Sequence, residues 1–369
     1  MSRESDSSRD DSDEQLRLGG LGETEELGET EELAGLGELG GLEETGELVG
    51  LGELGGLAQG GSAQAQGGST QAQGFRSGFV ALLGRPNVGK STLLNACVGE
   101  RLAITSPVAQ TTRRRLRAVV NREDFQLVIV DTPGLHKPKD ALGKELNRAA
   151  LAALGDVEVV ALLIDATRPV GRGDAWVARH VDACDAYRIL VITKADIANP
   201  EMVQAQIDAA SELARFDDVL VLSAKENFNV EGFVELVASK LPEGPRWFPE
   251  GMDSDASPEE LIAELVREKL LLACRDELPH SIAVICDELQ YKKNDVCVAH
   301  ATVLVERESQ KGIVVGAGGS MIKRVGVAAR EDIERLLGCK LFLELHVEVR
   351  RQWRRDATEI RRLGLDSSE

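Results

Sequence analysis

Apolar residues from position 77 onward form short unbroken runs separated by stretches with helical periodicity. Runs of this kind are typical of strands that are buried on both faces, as in a parallel sheet covered by helices. They lie at residues 79–83, 126–130, 159–164, 189–192 and 219–222. The pattern therefore predicts an α/β domain over residues 75–240. Because ligands bind beyond the carboxyl ends of such strands, the residues that follow each run are candidates for chemistry.

The pattern changes after residue 240. Residues 241–256 contain three prolines and two glycines, and this composition predicts a linker. Residues 257–260 then read Ser-Pro-Glu-Glu, a capping box that predicts the start of a helix ending near Asp276.

A small α+β domain is predicted for residues 257–365. Two strands, at about 281–287 and 295–306, are joined by a turn at 292–295. A glycine-broken pair of helices follows Gly312. The last strand, at 340–350, has apolar residues at alternate positions, which indicates that one of its faces is buried.

The first 74 residues show neither pattern. They consist of loose repeats of Gly, Leu, Glu, Gln and Ser, contain no aromatic residue and carry a net charge of about −14. Such a segment cannot bury enough apolar surface to fold, so residues 1–74 are predicted to be a disordered acidic tail. The tail supplies most of the formal net charge of −19. Basic residues gather instead between positions 311 and 362, where one face could meet a polyanion.

The six cysteines are scattered without a CxxC pair, and the chain begins with polar and charged residues. These features predict a reducing, cytoplasmic environment. No apolar run approaches the roughly 18 residues that a membrane span needs.

A glycine-rich loop at residues 84–91 follows the first predicted strand directly and matches the pattern GxxxxGK[ST]. Gly84 and Gly89 permit tight turns, and the loop amides would point at phosphate oxygens from a helix N-terminus. Lys90 supplies a cation for the β- and γ-phosphates, and Ser91 supplies a hydroxyl for Mg²⁺. The predicted phosphate-binding residues are Gly84, Arg85, Pro86, Asn87, Val88, Gly89, Lys90, Ser91 and Thr92.

The second predicted strand ends in the segment Asp131, Thr132, Pro133, Gly134 and Leu135. Asp131 is the acid expected at a magnesium site, and the Gly134 amide can meet the γ-phosphate. The polar loop at 110–115 is of the kind that orders around Mg²⁺, with Thr112 the preferred ligand and Thr111 the alternative. The predicted metal ligands are thus Ser91, Thr112 and Asp131. The predicted catalytic groups are Lys90, Thr112 and Gly134.

Base selection is predicted at the ends of the fourth and fifth strands. The Asp196 carboxylate could accept two hydrogen bonds from the guanine N1–H and 2-amino groups, which adenine cannot supply. The order and spacing resemble the guanine-recognition motifs of Ras-like GTPases, although Thr193 stands where that motif has Asn. The base-binding residues expected on this basis are Thr193, Lys194, Ala195, Asp196, Ser223, Ala224 and Lys225.

Leu135 occupies the position at which Ras-like proteins carry a glutamine that orients the attacking water. A leucine side chain cannot do this by hydrogen bonding. Slow intrinsic turnover is therefore expected, with catalysis by positioning and charge neutralisation. His136 is a weaker candidate for handling the water.

A GxxG loop at residues 316–319 lies between two predicted helices, in a helix-strand-strand-helix-helix-strand order. This order resembles a type II KH domain, a fold that clamps single-stranded RNA with that loop. Basic side chains near the loop would bring the phosphate contacts. The resemblance implies that RNA is bound by Lys311, Gly316, Ala317, Gly318, Gly319, Lys323 and Arg324.

Residues 77–363 as a whole resemble the Era family of bacterial GTPases, which carry a C-terminal KH domain. The resemblance rests on residues 84–91, 109–113, 131–136, 277–281 and 313–316. It implies a GTPase that uses Mg²⁺, binds the 3′ end of small-subunit ribosomal RNA and assists maturation of the small ribosomal subunit. It also implies a monomer in the cytoplasm, with peripheral association with the inner membrane as a further expectation.

A second interpretation treats the C-terminal unit as a protein-docking module of a signalling or membrane-associated GTPase. The basic cluster around the GxxG loop favours RNA. The sequence has no lipidation motif or basic amphipathic helix that would support the alternative.

Overall fold

The computed structural model describes residues 74–108, 111–135, 138, 140–274 and 278–365. These residues belong to one compact unit, Gly68–Glu369. The tail predicted for residues 1–74 lies outside the described residues except for Gly74, as do Ala109, Gln110, His136 and Glu277.

The first domain is built on a six-stranded sheet in the order β2-β3-β1-β4-β5-β6. All neighbouring strands are parallel except β2 and β3, which are antiparallel. The five predicted strands are confirmed. The bounds are β1 Arg76–Leu83, β2 Leu116–Asn121, β3 Phe125–Asp131, β4 Val159–Asp165, β5 Tyr187–Thr193 and β6 Asp218–Val221.

Helices cover both faces of this sheet, which explains why its central strands have long apolar runs. Leu82 packs into a core with α1 and α5, whereas the next residue, Leu83, packs into a second core with α3 and α4. Each face of β1 therefore needs apolar side chains. The bounds are α1 Lys90–Val98, α2 Ala141–Ala152, α3 Arg172–Asp182, α4 Pro200–Ser211 and α5 Val230–Lys240.

Strand β2 was not predicted. Its first two residues and its last are only partly buried, and Ala118, Val119 and Val120 are its only fully buried positions. Charged residues flank it on both sides, so the apolar signal is too short to stand out in the sequence. Pairing with β3 supplies the stability that the local pattern lacks.

The second domain has a three-stranded sheet in the order β7-β8-β9, with β7 and β8 antiparallel and β8 and β9 parallel. Helices α6, α8 and α9 pack on one face of it around a shared core. The element order is the one predicted for a type II KH domain. The bounds are α6 Pro258–Ala273, α7 Leu278–Ser281, β7 Ala283–Lys292, β8 Val296–Val305, α8 Glu308–Val315, α9 Ser320–Leu337, β9 Lys340–Val349 and α10 Ala357–Arg362.

Local signals account for several of these boundaries. The Ser257 hydroxyl accepts a hydrogen bond from the Glu260 amide, and the Glu260 carboxylate accepts one from the Ser257 amide, so the predicted capping box is confirmed. Helix α8 begins at Glu308, before Gly312, and thus earlier than predicted. Gly312 is tolerated within the helix, where a Cβ would meet nothing within 4 Å.

The predicted linker at 241–256 is bonded closely to the first domain. The Gln126 side chain accepts from the Trp247 amide at 2.7 Å and donates to the Phe248 carbonyl at 2.9 Å. The Val119 amide donates to the Asp253 carbonyl at 2.8 Å. The segment therefore follows the β2 side of the sheet and fixes where the second domain begins.

Among the described residues, the stretch Glu308–Leu337 is long and apolar enough by length and composition alone to cross a membrane. It is not one straight helix, because Gly316, Gly318 and Gly319 interrupt it with positive φ angles. Val314, Val325 and Ile333 from its two halves pack into the core of the second domain.

Cys297 and Cys339 are joined by a disulfide, with their Cα atoms 6.4 Å apart. Reduced cysteines were expected because the six are scattered without a CxxC pair, and for Cys297 and Cys339 the structure contradicts that expectation. The parallel pairing of β8 with β9 brings them together.

Candidate nucleotide, magnesium and RNA sites

The loop at residues 84–91 connects β1 to α1 and lines a cleft of about 280 Å³. Gly84 has a φ of 149°, and a Cβ there would lie 2.7 Å from the Leu163 carbonyl oxygen. Gly89, the residue before α1, has a φ of 106°. Both positions need glycine, because other residues rarely adopt these angles. The turn therefore places the loop amides at the start of α1, as a phosphate cradle requires.

Lys90 is 6% exposed and its Nζ donates to the carbonyl oxygens of Gly84 and Arg85, each at 3.2 Å. Burial lowers the pKa of Lys90 to about 8, and the nearby carboxylate of Asp131 opposes that shift. The side chain is thus folded back over its own loop, where an incoming phosphate can replace the two carbonyl contacts.

Three oxygen-bearing side chains converge beside Lys90. The Ser91 hydroxyl donates to Asp131 Oδ2 at 2.7 Å, the Thr112 hydroxyl donates to the same atom at 3.1 Å, and the two hydroxyl oxygens are 2.9 Å apart. Asp131 is fully buried, and within the described part of the chain its Oδ1 has no hydrogen-bonding partner. Burial raises the pKa of Asp131, against the opposing effect of Lys90.

This arrangement fits Mg²⁺. The ion prefers oxygen ligands and is usually held by one or two carboxylates together with substrate phosphates and water. The described residues contain no group of three or more His, Cys, Asp and Glu side chains suited to a metal. A site of one carboxylate and two hydroxyls, completed by phosphate oxygens, satisfies the ligand preference of Mg²⁺ and does not require such a group.

The alternative ligand, Thr111, is placed differently. Its hydroxyl donates to the Val108 carbonyl at 2.6 Å and lies 2.8 Å from the Ser106 hydroxyl. Those contacts hold the loop in shape and turn Thr111 away from Asp131. The geometry therefore favours Thr112 over Thr111.

The segment after β3 packs tightly under the cradle. Thr132 donates through its hydroxyl to the Leu82 carbonyl, and a Cβ on Gly134 would lie 2.8 Å from Pro86. The Leu135 amide donates to the Gly84 carbonyl at 3.3 Å, and its side chain, 1% exposed, lies in the α3/α4 core. Leu135 is thus turned away from the cleft, while Gly134 lies at its edge.

Thr193 ties the base-recognition segment to the phosphate loop. Its hydroxyl donates to the Val88 carbonyl at 2.6 Å and lies 3.1 Å from the Ile164 carbonyl. Thr193 thus stands where the guanine motif has Asn, and its hydroxyl still links the base-recognition segment to the phosphate loop.

The other base-recognition residues gather at the ends of β5 and β6. Asp196 Oδ1 accepts from the Ser223 hydroxyl at 2.7 Å, and the Ala195 amide donates to the Leu222 carbonyl at 3.2 Å. Ala224 follows Ser223 directly. Lys225 points outward and pairs with Glu226 at 3.3 Å, so the structure leaves it outside the cluster.

Asp165 was not predicted as a site residue, although it directly follows the third predicted apolar run and ends β4. Its Oδ2 accepts from Lys194 Nζ at 2.6 Å. Burial pushes the pKa of Asp165 upward, but hydrogen bonds from Lys194 and Thr167 outweigh burial and hold it below its ordinary value. Lys194 has a φ of 60°, and this bond fixes its side chain along the rim of the cleft.

Arg85 lies in the loop, but its side chain faces away from the cleft. Its Nε pairs with Asp174 at 2.8 Å, and Asp174 is 1% exposed. The same carboxylate accepts from the Gly171 amide at the start of α3. The Arg85 side chain therefore anchors the loop to α3.

The GxxG loop forms the turn between α8 and α9. Gly316, Gly318 and Gly319 have φ angles of 74°, 57° and 79°. A Cβ on Gly316 would lie 2.7 Å from the Met321 Cβ, whereas Gly318 and Gly319 face open space. Lys323 and Arg324 beside the loop are exposed, and Lys311 is half-buried. The loop thus offers bare backbone next to basic side chains.

These features define a P-loop GTPase domain followed by a KH domain. The first domain matches the family described as 50S ribosome-binding GTPase over residues 79–194. The second matches the KH domain family over residues 277–354.

The chain belongs to the GTPase Era family. It is 45% identical over 295 residues to GTPase Era of Mycolicibacterium paratuberculosis, covering 79% of this chain and 99% of the relative. It is also 45% identical over 296 residues to GTPase Era of Mycobacterium tuberculosis, with the same coverage. The predicted family, fold class and GTPase activity are confirmed.

Two solved structures of Era have similar folds. One holds Era with MgGDPNP and nucleotides 1506–1542 of 16S ribosomal RNA; it is 35% identical, has a TM-score of 0.76, and the match covers 79% of this chain and 99% of that one. The other is an Aquifex aeolicus Era variant bound to GDP and AlF4⁻, also 35% identical, with a TM-score of 0.75 and coverage of 79% and 100%.

Proposed function

We propose that the protein is a GTP-hydrolysing switch that binds the 3′ end of small-subunit ribosomal RNA through its KH domain and assists maturation of the small ribosomal subunit. The observation that carries the proposal is the match to nearly the whole Era chain whose structure holds both MgGDPNP and 16S ribosomal RNA nucleotides. This chain carries its own phosphate cradle and its own exposed GxxG loop in the corresponding order.

Ser91, Thr112 and Asp131 would hold Mg²⁺, which when bound neutralises charge on the β- and γ-phosphates. Lys90 exchanges its two carbonyl contacts for phosphate oxygens, and backbone amides of the loop at residues 84–91, Pro86 excepted, donate to the same phosphates. The Gly134 amide donates to the γ-phosphate. Catalysis on this account comes from positioning and charge neutralisation.

Turnover without a partner is expected to be slow. The Leu135 side chain lies in the core, so it cannot orient water by contact or by hydrogen bonding. The backbone around Gly134 is left to position the attacking water.

Guanine specificity rests on Asp196, which the Ser223 hydroxyl orients at 2.7 Å. Changing Asp196 to Asn replaces an acceptor with a donor and should favour xanthine, whose 2-oxo group can accept that bond. The test is the ratio of xanthosine to guanosine nucleotide affinity in Asp196→Asn. Full GTP affinity in this variant would contradict the assignment.

RNA binding can be tested at Gly319, which has a positive φ and no neighbour that a Cβ would meet. Asn and Asp have the same shape and both tolerate this backbone conformation, so Gly319→Asn controls for strain in Gly319→Asp. The Asp variant should lose RNA affinity relative to the Asn variant, because its carboxylate faces the phosphate path. Equal affinities, with GTP hydrolysis intact in both, would remove the loop from the RNA site.

A ribosomal RNA partner places the protein in the cytoplasm. Peripheral membrane association and a monomeric state stay predictions. Co-purification separates the RNA-binding function from the docking alternative. RNA carrying the 3′ end of the small-subunit rRNA should accompany the protein, whereas a bound lipid or protein alone would support docking.

A further inference from the structure

The segment that carries Thr112 is held on both sides by the second domain. Arg267 of α6 donates through Nη2 to the Thr111 carbonyl, on the N-terminal side of Thr112. Arg113, on the C-terminal side, donates to the carbonyls of Ile282 and, at 3.0 Å, of His280. Both arginines are 2% exposed. The chain neighbours of one candidate magnesium ligand are therefore bonded to the other domain.

A rigid frame surrounds these contacts. Arg267 is oriented by Glu264, whose carboxylate accepts from its Nε at 2.9 Å. The guanidinium of Arg113 lies 5.7 Å from the ring centroid of Trp353, which is fully buried. Trp353 in turn donates through Nε1 to the Ser281 carbonyl at 3.0 Å. Because these guanidinium groups are planar and their side chains are buried and fixed, they restrict the position of the backbone segment more than mobile surface side chains would.

Packing alone does not fix Thr112. A cavity of about 210 Å³ lies between the two domains, and both Thr112 and Asp131 are in its wall. Ala149 of α2 and Leu261 and Glu264 of α6 form other parts of that wall. Because this side of the Thr112 segment faces open space, hydrogen bonds hold the segment in place, and those of Arg267 and Arg113 are among the ones that tie it to the second domain.

We propose that Arg267 is a positioning residue for the magnesium site: by holding the Thr111 carbonyl, it keeps the Thr112 hydroxyl against Asp131 and Ser91. Arg113 provides the matching restraint from the other side. The KH domain thus completes a site that belongs to the GTPase domain. The inference rests on the proposed function, because it assigns Thr112 to Mg²⁺.

The restraint acts in both directions. If the second domain stabilises the position of Thr112 that Mg²⁺ requires, then Mg²⁺ and GTP stabilise the corresponding position of the second domain by the same factor. Nucleotide binding is thereby linked to the orientation of the GxxG loop through three consecutive residues, 111–113.

A separate set of contacts between the domains supplies a control. Glu268 of α6 is fully buried and pairs with Arg101, while its other carboxylate oxygen accepts from the Thr105 amide at 2.9 Å. Lys269 also lies 3.4 Å from Glu268. Loss of Arg101 therefore weakens the interface while Glu268 keeps two partners and residues 111–113 keep all of theirs.

The experiment compares Arg267→Met with Arg101→Met in the full chain. The Mg²⁺ concentration that gives half-maximal GTP hydrolysis is measured under single-turnover conditions, and GDP affinity is measured in EDTA. A hydrogen bond from a charged donor is lost in Arg267→Met, so the half-maximal Mg²⁺ concentration should rise about tenfold. It should stay unchanged in Arg101→Met, and GDP affinity in EDTA should stay unchanged in both.

The proposal would be overturned if the half-maximal Mg²⁺ concentration of Arg267→Met equalled that of the unmodified protein. It would also be overturned if this concentration rose as much in Arg101→Met as in Arg267→Met. If the Met variant does not fold, Arg267→Lys replaces it, because lysine keeps the buried charge beside Glu264 but lacks the planar fork. That variant should show a smaller rise in the same direction, and no rise would again overturn the proposal. Failure of the unmodified protein to hydrolyse GTP would refute the proposed function itself.

Discussion

Replacing Thr193 by valine removes one hydroxyl and almost no volume. That hydroxyl donates to the Val88 carbonyl of the phosphate loop at 2.6 Å. It carries one proton and therefore donates mainly to this nearer acceptor, with the Ile164 carbonyl at 3.1 Å as a weaker contact. Thr193 is 3% exposed, so water does not readily take over either bond.

The size of the effect follows from leaving a buried carbonyl unpaired. Such a loss costs about 1–3 kcal/mol, so the free energy of unfolding should fall by roughly 1–2 kcal/mol. The bond also joins the segment that selects the base to the loop that holds the phosphates. Affinity for GDP should therefore fall about tenfold, which corresponds to about 1.4 kcal/mol.

Urea denaturation and titration with a fluorescent GDP analogue measure the two effects. Thr193→Ser is the matched control, because it keeps the hydroxyl and loses only a methyl group, so its GDP affinity should stay close to that of the unmodified protein. A Thr193→Val variant with unchanged stability and unchanged GDP affinity would refute the bridging role of this hydroxyl.

Three further changes follow from the site. Asp131→Ala should abolish Mg²⁺-dependent GTP hydrolysis while GDP still binds in EDTA; Mg²⁺-stimulated hydrolysis in this variant would contradict the metal assignment. Gly84→Ala should destabilise the protein by about 2 kcal/mol or more in urea denaturation, since its Cβ would lie 2.7 Å from the Leu163 carbonyl at a φ of 149°. Arg85→Met should lower stability by about 1–3 kcal/mol, because it leaves the buried Asp174 without its cation; the Arg85 side chain is 30% exposed, which limits the loss. A stable Arg85→Met protein with weakened GDP binding would instead give that side chain a role at the nucleotide.

Local patterns predicted much of this molecule. Four of the five apolar runs became strands that are buried along most of their length, and the fifth became the short, partly exposed edge strand β6. The phosphate loop could be recognised because its glycines, lysine and serine lie within eight consecutive residues. The capping box at Ser257 and the alternating strand β9 are likewise features of adjacent residues.

The features that were missed depend on residues far apart in the chain. The apolar run within β2 is only three residues long and too closely flanked by charge to be recognised without the partner strand β3. The contact of Arg267 with the Thr111 carbonyl joins residues 156 positions apart. Thr193 was recognised as a departure from the guanine motif, but only the structure shows that its hydroxyl reaches the Val88 carbonyl.

The central claim is that the nucleotide bound to the first domain controls how the KH domain binds the 3′ end of small-subunit ribosomal RNA. The most direct test is the affinity of the full chain for an oligonucleotide of that 3′ end, measured with a non-hydrolysable GTP analogue and with GDP. We expect an affinity that differs between the two nucleotides and is lost in Gly319→Asp but not in Gly319→Asn. Equal affinity with both nucleotides, or equal affinity for an oligonucleotide of scrambled sequence, would contradict it.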